Sequence, residues 1–373
     1  MKDRIEEALF ARRRDLFTGV DLVFFDTPSL YFEGRGGQTL GRRRHSKDHR
    51  PDLPQMIVGF ALDSQGGPLC CELWPGNTTD VKTLLPVVAR LRERFRVREV
   101  CVLADRGMIS RKVLAELDAA APGVRSILGA RMRRQKEVCE TVLRTEGPWQ
   151  EVYPERTCHK DPAPLQVREV VVEGRRYIVC LNPEERRKDA QDRAAIVAHL
   201  RPQLKQGDKS LVGNKGYRRY LKREGTGHFV VDEGRLVGEA RFDGLWVLRP
   251  NRDDPASTVA LRYKELGQVE ALIRTTKSIL ETRPIYHKCD ETIRGHVFCS
   301  FLALRLKTEL ERRLAALGQA WEWAEVVRGL DHLQEVEVAF RGRRYCLRSQ
   351  FLGDAHKAIR AAGVAVPPTI REL

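Results

Sequence analysis

With 373 residues the chain is longer than one average domain and shorter than three, so one large core with an insertion, or two domains, is expected. At 42% hydrophobic and 31% charged residues, with no apolar run near the roughly 18 to 20 residues of a membrane span, the composition excludes the membrane and disordered classes. The formal charge of +15 sits in clusters at Arg12–Arg14, Arg42–Arg44, Arg131–Arg134, Arg218–Arg223 and Arg341–Arg344. Such clusters suit a polyanion, because each neutralised phosphate releases condensed counterions. The opening MKDRIEEALFARRRDLF mixes acids with bases and lacks an apolar h-region, so it is no secretory signal and a cytosolic location is expected. Nine scattered cysteines without a C-x-x-C pair read as reduced thiols.

In chain order, DLVFFD (21–26) and MIVGFALD (56–63) are apolar runs ending in acids, and PLCCELWPG (68–76) is the hairpin partner of the second. Asp80 can cap a helix carrying Val81, Leu84, Leu85, Val88 and Leu91 at helical spacing. VCVLAD (100–105) then has the wholly apolar character of a strand buried on both faces. A helix over 111–120 and a strand over 125–130 complete a β-β-β-α-β-α-β order, that of a mixed sheet layered with helices. Residues 131–245 read as a β-rich insertion, with hairpins over 167–181 and 228–248 around one helix over 183–205. Helices follow over about 260–282 and 290–315, then one or two more with the basic strand-like stretch RGRRYCLRS. The expected division is an N-terminal arm (1–18), a first core segment (19–130), the insertion (131–245), a second core segment (246–320) and a C-terminal helical extension (321–373).

Asp26 and Asp105 each end an apolar strand, and Gly107 eases the turn after the second. Carboxylates at adjacent strand ends can share a divalent cation, although an aspartate there most often only starts a turn. A third carboxylate comes from YKELGQVEALIRTTKSIL. At about 100° per residue Tyr263, Leu266, Glu270 and Lys277 share a narrow stripe, whereas Glu265 points away. Val269, Leu272, Thr276 and Leu280 form a separate apolar stripe, so one face can dock while Glu270 and Lys277 point together. A solvated amphipathic helix has the same periodicity.

Six segments occur in one order: FFDTPSLYFEG, SKDHRPDLPQ, PGNTTD, VLADRGM, FDGLWVLRPN and the helix ending TKSILETRPIYH. Together they resemble bacterial DDE insertion-sequence transposases, over roughly residues 19–315. Within that family the chain is similar to the group with a Y-(2)-R-(3)-E-(6)-K signature, matched by Tyr263, Leu266, Glu270 and Lys277. Leu266 stands where that signature has arginine, which leaves Arg262 or Arg274 to compensate. Only about 20 residues precede the first catalytic strand, where such transposases usually carry a DNA-binding region, as in a truncated copy or one with a misassigned start.

The resemblance implies an α/β fold: an RNase H-like mixed sheet flanked by helices and interrupted by a β-rich insertion. It implies two Mg²⁺ or Mn²⁺ ions held by Asp26, Asp105 and Glu270, with Tyr263, Lys277, Arg274 and Arg262 on DNA phosphates. Hard divalent cations prefer carboxylate oxygens, and a pair of them can activate the attacking oxygen and stabilise the leaving oxygen of a phosphodiester. The implied activity is cleavage of double-stranded DNA at element ends and 3′-OH strand transfer by a synaptic homodimer. The alternatives are a catalytically incompetent DNA-binding remnant and an RNase H-like nuclease without strand transfer.

Other signals weigh less. His287, Cys289, His296 and Cys299 match no common zinc spacing, and GRGG (34–37) and GNKG (213–216) lack phosphate-loop spacing and read as loops. Trp149 and Trp246 are expected in cores rather than stacked on bases, and His49 and Arg50 sit in a loop that could touch DNA.

Overall fold

A computed structural model describes all residues except 14–22, 44–49, 64–65, 80–81, 96–99, 105–110, 120–123, 159–160, 207–216, 218, 225–227, 319 and 367. The proposed cap Asp80 and the GNKG segment therefore lie outside the described residues. The chain opens with helix α1 (Lys2–Arg13), followed by strands β1 (Val23–Asp26), β2 (Ser29–Tyr31), β3 (Gln55–Leu62) and β4 (Pro68–Pro75). Helix α2 (Leu84–Phe95), β5 (Val100–Ala104), α3 (Arg111–Ala119) and β6 (Val124–Gly129) complete the first block.

β3 pairs antiparallel with β4 on one side and with β1 on the other, while β5 runs parallel to β1 and β6 parallel to β5. All eight residues of β3 are buried, which is why MIVGFAL reads as an unbroken apolar run rather than an alternating one. The hairpin end PGNTTD owes its glycine to crowding: a Cβ on Gly76 would collide with the Gln55 carbonyl, and its N–H donates to the Leu40 carbonyl at 3.0 Å.

The insertion begins with a π-helical turn (Val138–Val142), then β7 (Gln150–Tyr153), β8 (Leu165–Val172) and β9 (Arg175–Leu181). Glu173 and Gly174, both at positive φ, form the tight turn between β8 and β9, as expected of the hairpin over 167–181. Helix α4 (Pro183–Gln206), β10 (Leu221–Glu224) and β11 (His228–Val231) follow. The hairpin expected over 228–248 is a correction, because residues Glu233–Ala240 form helix α5 between β11 and β12 (Leu245–Pro250). Asp232 caps it by accepting from the Arg235 N–H at 3.1 Å, an N-cap signal masked by the flanking valines. β12 joins β6 to β9, so β7, β8 and β9 continue the core sheet to ten strands, and β10 and β11 pair apart from it.

Two layers cover the sheet. On one face Val87, Val88 and Leu91 of α2 and Val113 and Leu117 of α3 bury against Val102, Ala104, Val124 and Leu128. The other face is covered by α6 (Ala256–Lys264), α7 (Gly267–Ser278) and α8 (Asp290–Ala316). Ile293, Val297, Phe301 and Leu304 of α8 are buried at helical spacing. Burying each contributes about 1.5 to 3 kcal/mol, more than the roughly 0.3 to 0.5 kcal/mol of a surface i,i+4 ion pair, so packing rather than charge holds this helix in place.

The chain ends with α9 (Trp323–Asp331), β13 (Glu335–Phe340), β14 (Arg343–Arg348), α10 (Ala355–Ala362) and β15 (Ile370–Glu372). The stretch expected as a helical extension thus also carries a three-stranded antiparallel sheet. All nine cysteines are free, and among the described residues no helix is long and apolar enough to cross a membrane.

Candidate active site

The strand carrying Asp26 does not stop there. Phe24, Phe25 and Asp26 pair with Leu62, Ala61 and Phe60, and after Thr27 and Pro28 the same register resumes as Ser29, Leu30 and Tyr31 pair with Ile57, Met56 and Gln55. β1 and β2 are therefore two halves of one line along β3. On the opposite side of that line, β5 pairs with Val23 and Phe24. Further along, Ile285 takes over: Phe32 bridges to it, its N–H donates to the Tyr31 carbonyl at 3.1 Å, and its carbonyl accepts from the Glu33 N–H at 3.0 Å. Among the described residues the stretch around Asp26 has no strand neighbour on that side.

β5 is described as far as Ala104, and Asp105 lies outside the described residues. Along the chain, Asp26 and Asp105 each follow by two residues the parallel-paired Phe24 and Leu103.

α7 packs against β1. Val269, Leu272 and Thr276 form its buried face, and Glu270 and Arg274 are exposed with Lys277 half-buried. At 100° per residue Glu270, Arg274 and Lys277 fall within about 60° of arc, flanking the buried face, so they share one side of the helix. The continuous helix expected over 260–282 is corrected, since it breaks at Glu265 and Leu266 into α6 and α7. There the backbone N–H groups of Glu265, Leu266 and Gln268 reach back only three residues, to Arg262, Tyr263 and Glu265, and poorly helical Gly267 starts the next helix. The stripe from Tyr263 to Lys277 is thereby interrupted, while the Glu270 to Lys277 spacing stays within one helix.

Tyr263 and Leu266 are both partly buried against the main core. The leucine at the signature's arginine position is therefore a packing residue. Arg262 lies on α6, with Nη1 3.9 Å from Asp254, whose carboxylate also pairs with Arg252. Glu265, half-buried in the break, has its carboxyl pushed up by burial, which Arg262 only partly opposes.

The loop before the site is pinned from a distance. Asp290, at the start of α8, accepts from the Gln38 N–H at 2.9 Å and the Thr39 N–H at 3.1 Å, and also from the Thr39 hydroxyl. Burial works against its charge, but these donors hold its carboxyl below the usual aspartate range. Gly37, at φ +77°, allows the close approach, because a Cβ there would strike the Asp290 carboxylate. GRGG is thus a structural loop, as expected. Sequence reasoning did not single out Arg283, which lies with Arg50 around the Tyr31 ring, their guanidinium carbons 5.6 and 5.5 Å from its centroid. Nothing local in the sequence marks that pairing, since the two arginines are far apart along the chain. His49 lies outside the described residues.

Among the described residues, which include neither Asp105 nor the side chain of Asp26, no group of three or more His, Cys, Asp or Glu is placed to hold a metal. The zinc candidates do not assemble: His287 and His296 meet edge to face at 5.2 Å, and a His296 ring nitrogen bonds to the Thr282 carbonyl at 3.0 Å. Trp149 and Trp246 pack against cores, the first beneath the Arg168 guanidinium at 4.7 Å.

The mixed sheet, with its helical layers and β-rich insertion, is consistent with an RNase H-like core. Residues 29–306 match the family model described as the transposase DDE domain, and the chain belongs to that family. Asp26 falls three residues before the matched span. The fold is similar to a piggyBac transposase in a synaptic complex with hairpin DNA, at 9% identity and a TM-score of 0.43, covering 81% of this chain and 49% of that one. A Mos1 transposase in a paired-end complex with the left transposon end is 18% identical with a TM-score of 0.20, over 33% of this chain and 40% of that one. The chain thus spans about half or less of these solved transposase chains. No curated protein matches the sequence.

Proposed function

We propose that the chain is a divalent-metal-dependent DNA transposase that cleaves phosphodiesters at the ends of an insertion element and transfers the freed 3′-OH into target DNA. The observation that carries the reading is the packing of α7, with exposed Glu270, against β1, which ends in Asp26 and runs parallel to β5. Membership of the DDE family supports it.

Asp26, Asp105 and Glu270 are the residues proposed to hold two Mg²⁺ or Mn²⁺ ions, and their donors are hard carboxylate oxygens, which suit those cations. When bound, such ions supply activation of the attacking oxygen and stabilisation of the leaving oxygen. The chain's own part is to place the phosphate: Lys277 and Arg274, on the same side of α7 as Glu270, hold the strand beside β1, and Tyr263 and Arg262 support them from α6. Water attacks first and a 3′-OH second, so no protein nucleophile is invoked. The partners are double-stranded element ends and target DNA, held by a synaptic homodimer in the bacterial cytosol.

A second reading, a DNA-binding remnant that no longer cleaves, is favoured by one observation: Leu266 packs in the core where the signature has a phosphate-binding arginine. Incubating the purified chain with DNA carrying the element's ends, in Mg²⁺ and in Ca²⁺, separates the readings. Nicks and joined products in Mg²⁺ support the transposase. Nicks without joined products indicate a nuclease, and binding without nicks indicates the remnant.

A further inference from the structure

The Arg131–Arg134 cluster divides in the fold. Arg133 turns to Glu239 at 2.9 Å and over the Phe242 ring at 4.7 Å. Arg131 and Arg134 instead line a trough on the α3 face of the sheet, opposite the face covered by α7. Two cavities of about 380 and 770 Å³ meet there, sharing Leu114 of α3, Leu128 of β6, Arg175 of β9 and Arg249 of β12. The face follows from register. Leu128 points into the α3 layer, Arg249 pairs opposite it, and the neighbouring Leu248 points into the α6 to α8 layer.

The cations along the trough are Arg131, Arg134, Lys136, Arg175, Arg176, Arg249 and Arg252, against the acids Glu137 and Asp253. Arg175 meets Glu137 at 3.1 Å and Arg176 meets Glu169 at 2.6 Å. Pairs at the surface are weak in water and exchange readily for phosphate. Among the described residues the only aromatic lining is Tyr177, itself buried in β9, so they offer no platform on which bases could stack. A row of cations without stacking aromatics reads backbone charge and not bases.

We infer that this trough binds the phosphate backbone of duplex DNA outside the reacting phosphate. The site would add sequence-independent affinity to that of the proposed active site. It lies toward the end of β6, two strand spacings from β1, or about 10 Å across the sheet. The inference rests on the DNA-binding part of the reading above and not on cleavage.

The test is binding of a 30-bp mixed-sequence duplex, with Ca²⁺ in place of Mg²⁺, across a salt series. The triple variant Arg134→Gln, Lys136→Gln, Arg175→Gln removes three exposed cations and should leave the thermal unfolding midpoint in place. The expected result is about a tenfold or greater rise in Kd and a fall of about 2 to 3 in the slope of log K against log salt, near 0.9 per lost contact. Arg134→Lys with Arg175→Lys, which keeps the charges, should restore the slope. A control triple, Arg343→Gln, Arg344→Gln, Arg360→Gln, neutralises equal charge on the C-terminal elements. Equal losses in trough and control triples would overturn the inference, as would a larger loss with the corresponding 30-nucleotide single strand than with the duplex. Because binding is read without cleavage, an absence of nicking in Mg²⁺ would defeat the transposase reading and leave this result standing.

Discussion

The two faces of the central sheet are furnished differently. One is covered by α6, α7 and α8 and presents Glu270 next to the strand of Asp26, while the other leaves an arginine-lined trough between α3 and the turn at 131–137. The lesson is that chemistry and affinity sit on different side chains. Carboxylates suit a hard cation and repel DNA, and guanidinium groups hold DNA and can ligate no cation. Such a molecule can lose one function and keep the other.

Neutralising an acid should separate cleavage from affinity most sharply. Asp26→Asn, Asp105→Asn or Glu270→Gln should each lower Mg²⁺-dependent cleavage by about 10³-fold or more, the equivalent of several kcal/mol of charge stabilisation. Duplex affinity should stay within about threefold, because basic residues supply most of it. Single-turnover cleavage with a parallel binding isotherm checks both halves. Persistent cleavage by Glu270→Gln would move the third ligand elsewhere, with Glu265 the next residue to test.

The comparison also presumes that both faces hang on one rigid sheet, which Gly76→Ala attacks. With carbonyls of Gln55 and Arg42 where the new Cβ would stand, the variant should lose about 3 kcal/mol or more, read as a lower urea midpoint. Asp290 gives a smaller, pH-dependent effect. Its folded pKa is depressed, so the stability it contributes is present above the ordinary aspartate value of about 4 and is lost as pH falls through the folded value. Asp290→Ala should cost about 2 to 3 kcal/mol at neutral pH and flatten the acid limb of the stability curve, as measured by urea unfolding across pH. Lys277→Ala, the mildest change, should slow cleavage a few-fold at limiting DNA and leave the unfolding midpoint unmoved.

Much of this was legible before the fold was known. Apolar runs marked β1, β3, β4, β5 and β6, and the helical spacing of Val269, Leu272 and Thr276 announced the docked face that leaves Glu270 outside. What stayed hidden was long-range or masked by propensity. The β-forming valines flanking Asp232 concealed a capped helix, and only the i to i−3 bonds at Glu265 to Gln268 reveal the break that separates Tyr263 from Glu270. The trough was invisible because its cations come from β9, β12 and the turn after β6, and a charge cluster says nothing about which neighbours it will face. The clasp of Asp290 on the Gln38 and Thr39 amides spans some 250 residues and leaves no local trace.

Asp26, Asp105 and Glu270 are proposed to converge on one divalent site. Crystals grown with Mn²⁺ and measured at its absorption edge test it without any assay of activity. Anomalous peaks bounded by the carboxylates of Asp26, Asp105 and Glu270, and their loss in Glu270→Gln, are expected. Well-ordered carboxylates with no peak between them, or peaks bound only elsewhere on the chain, would contradict it.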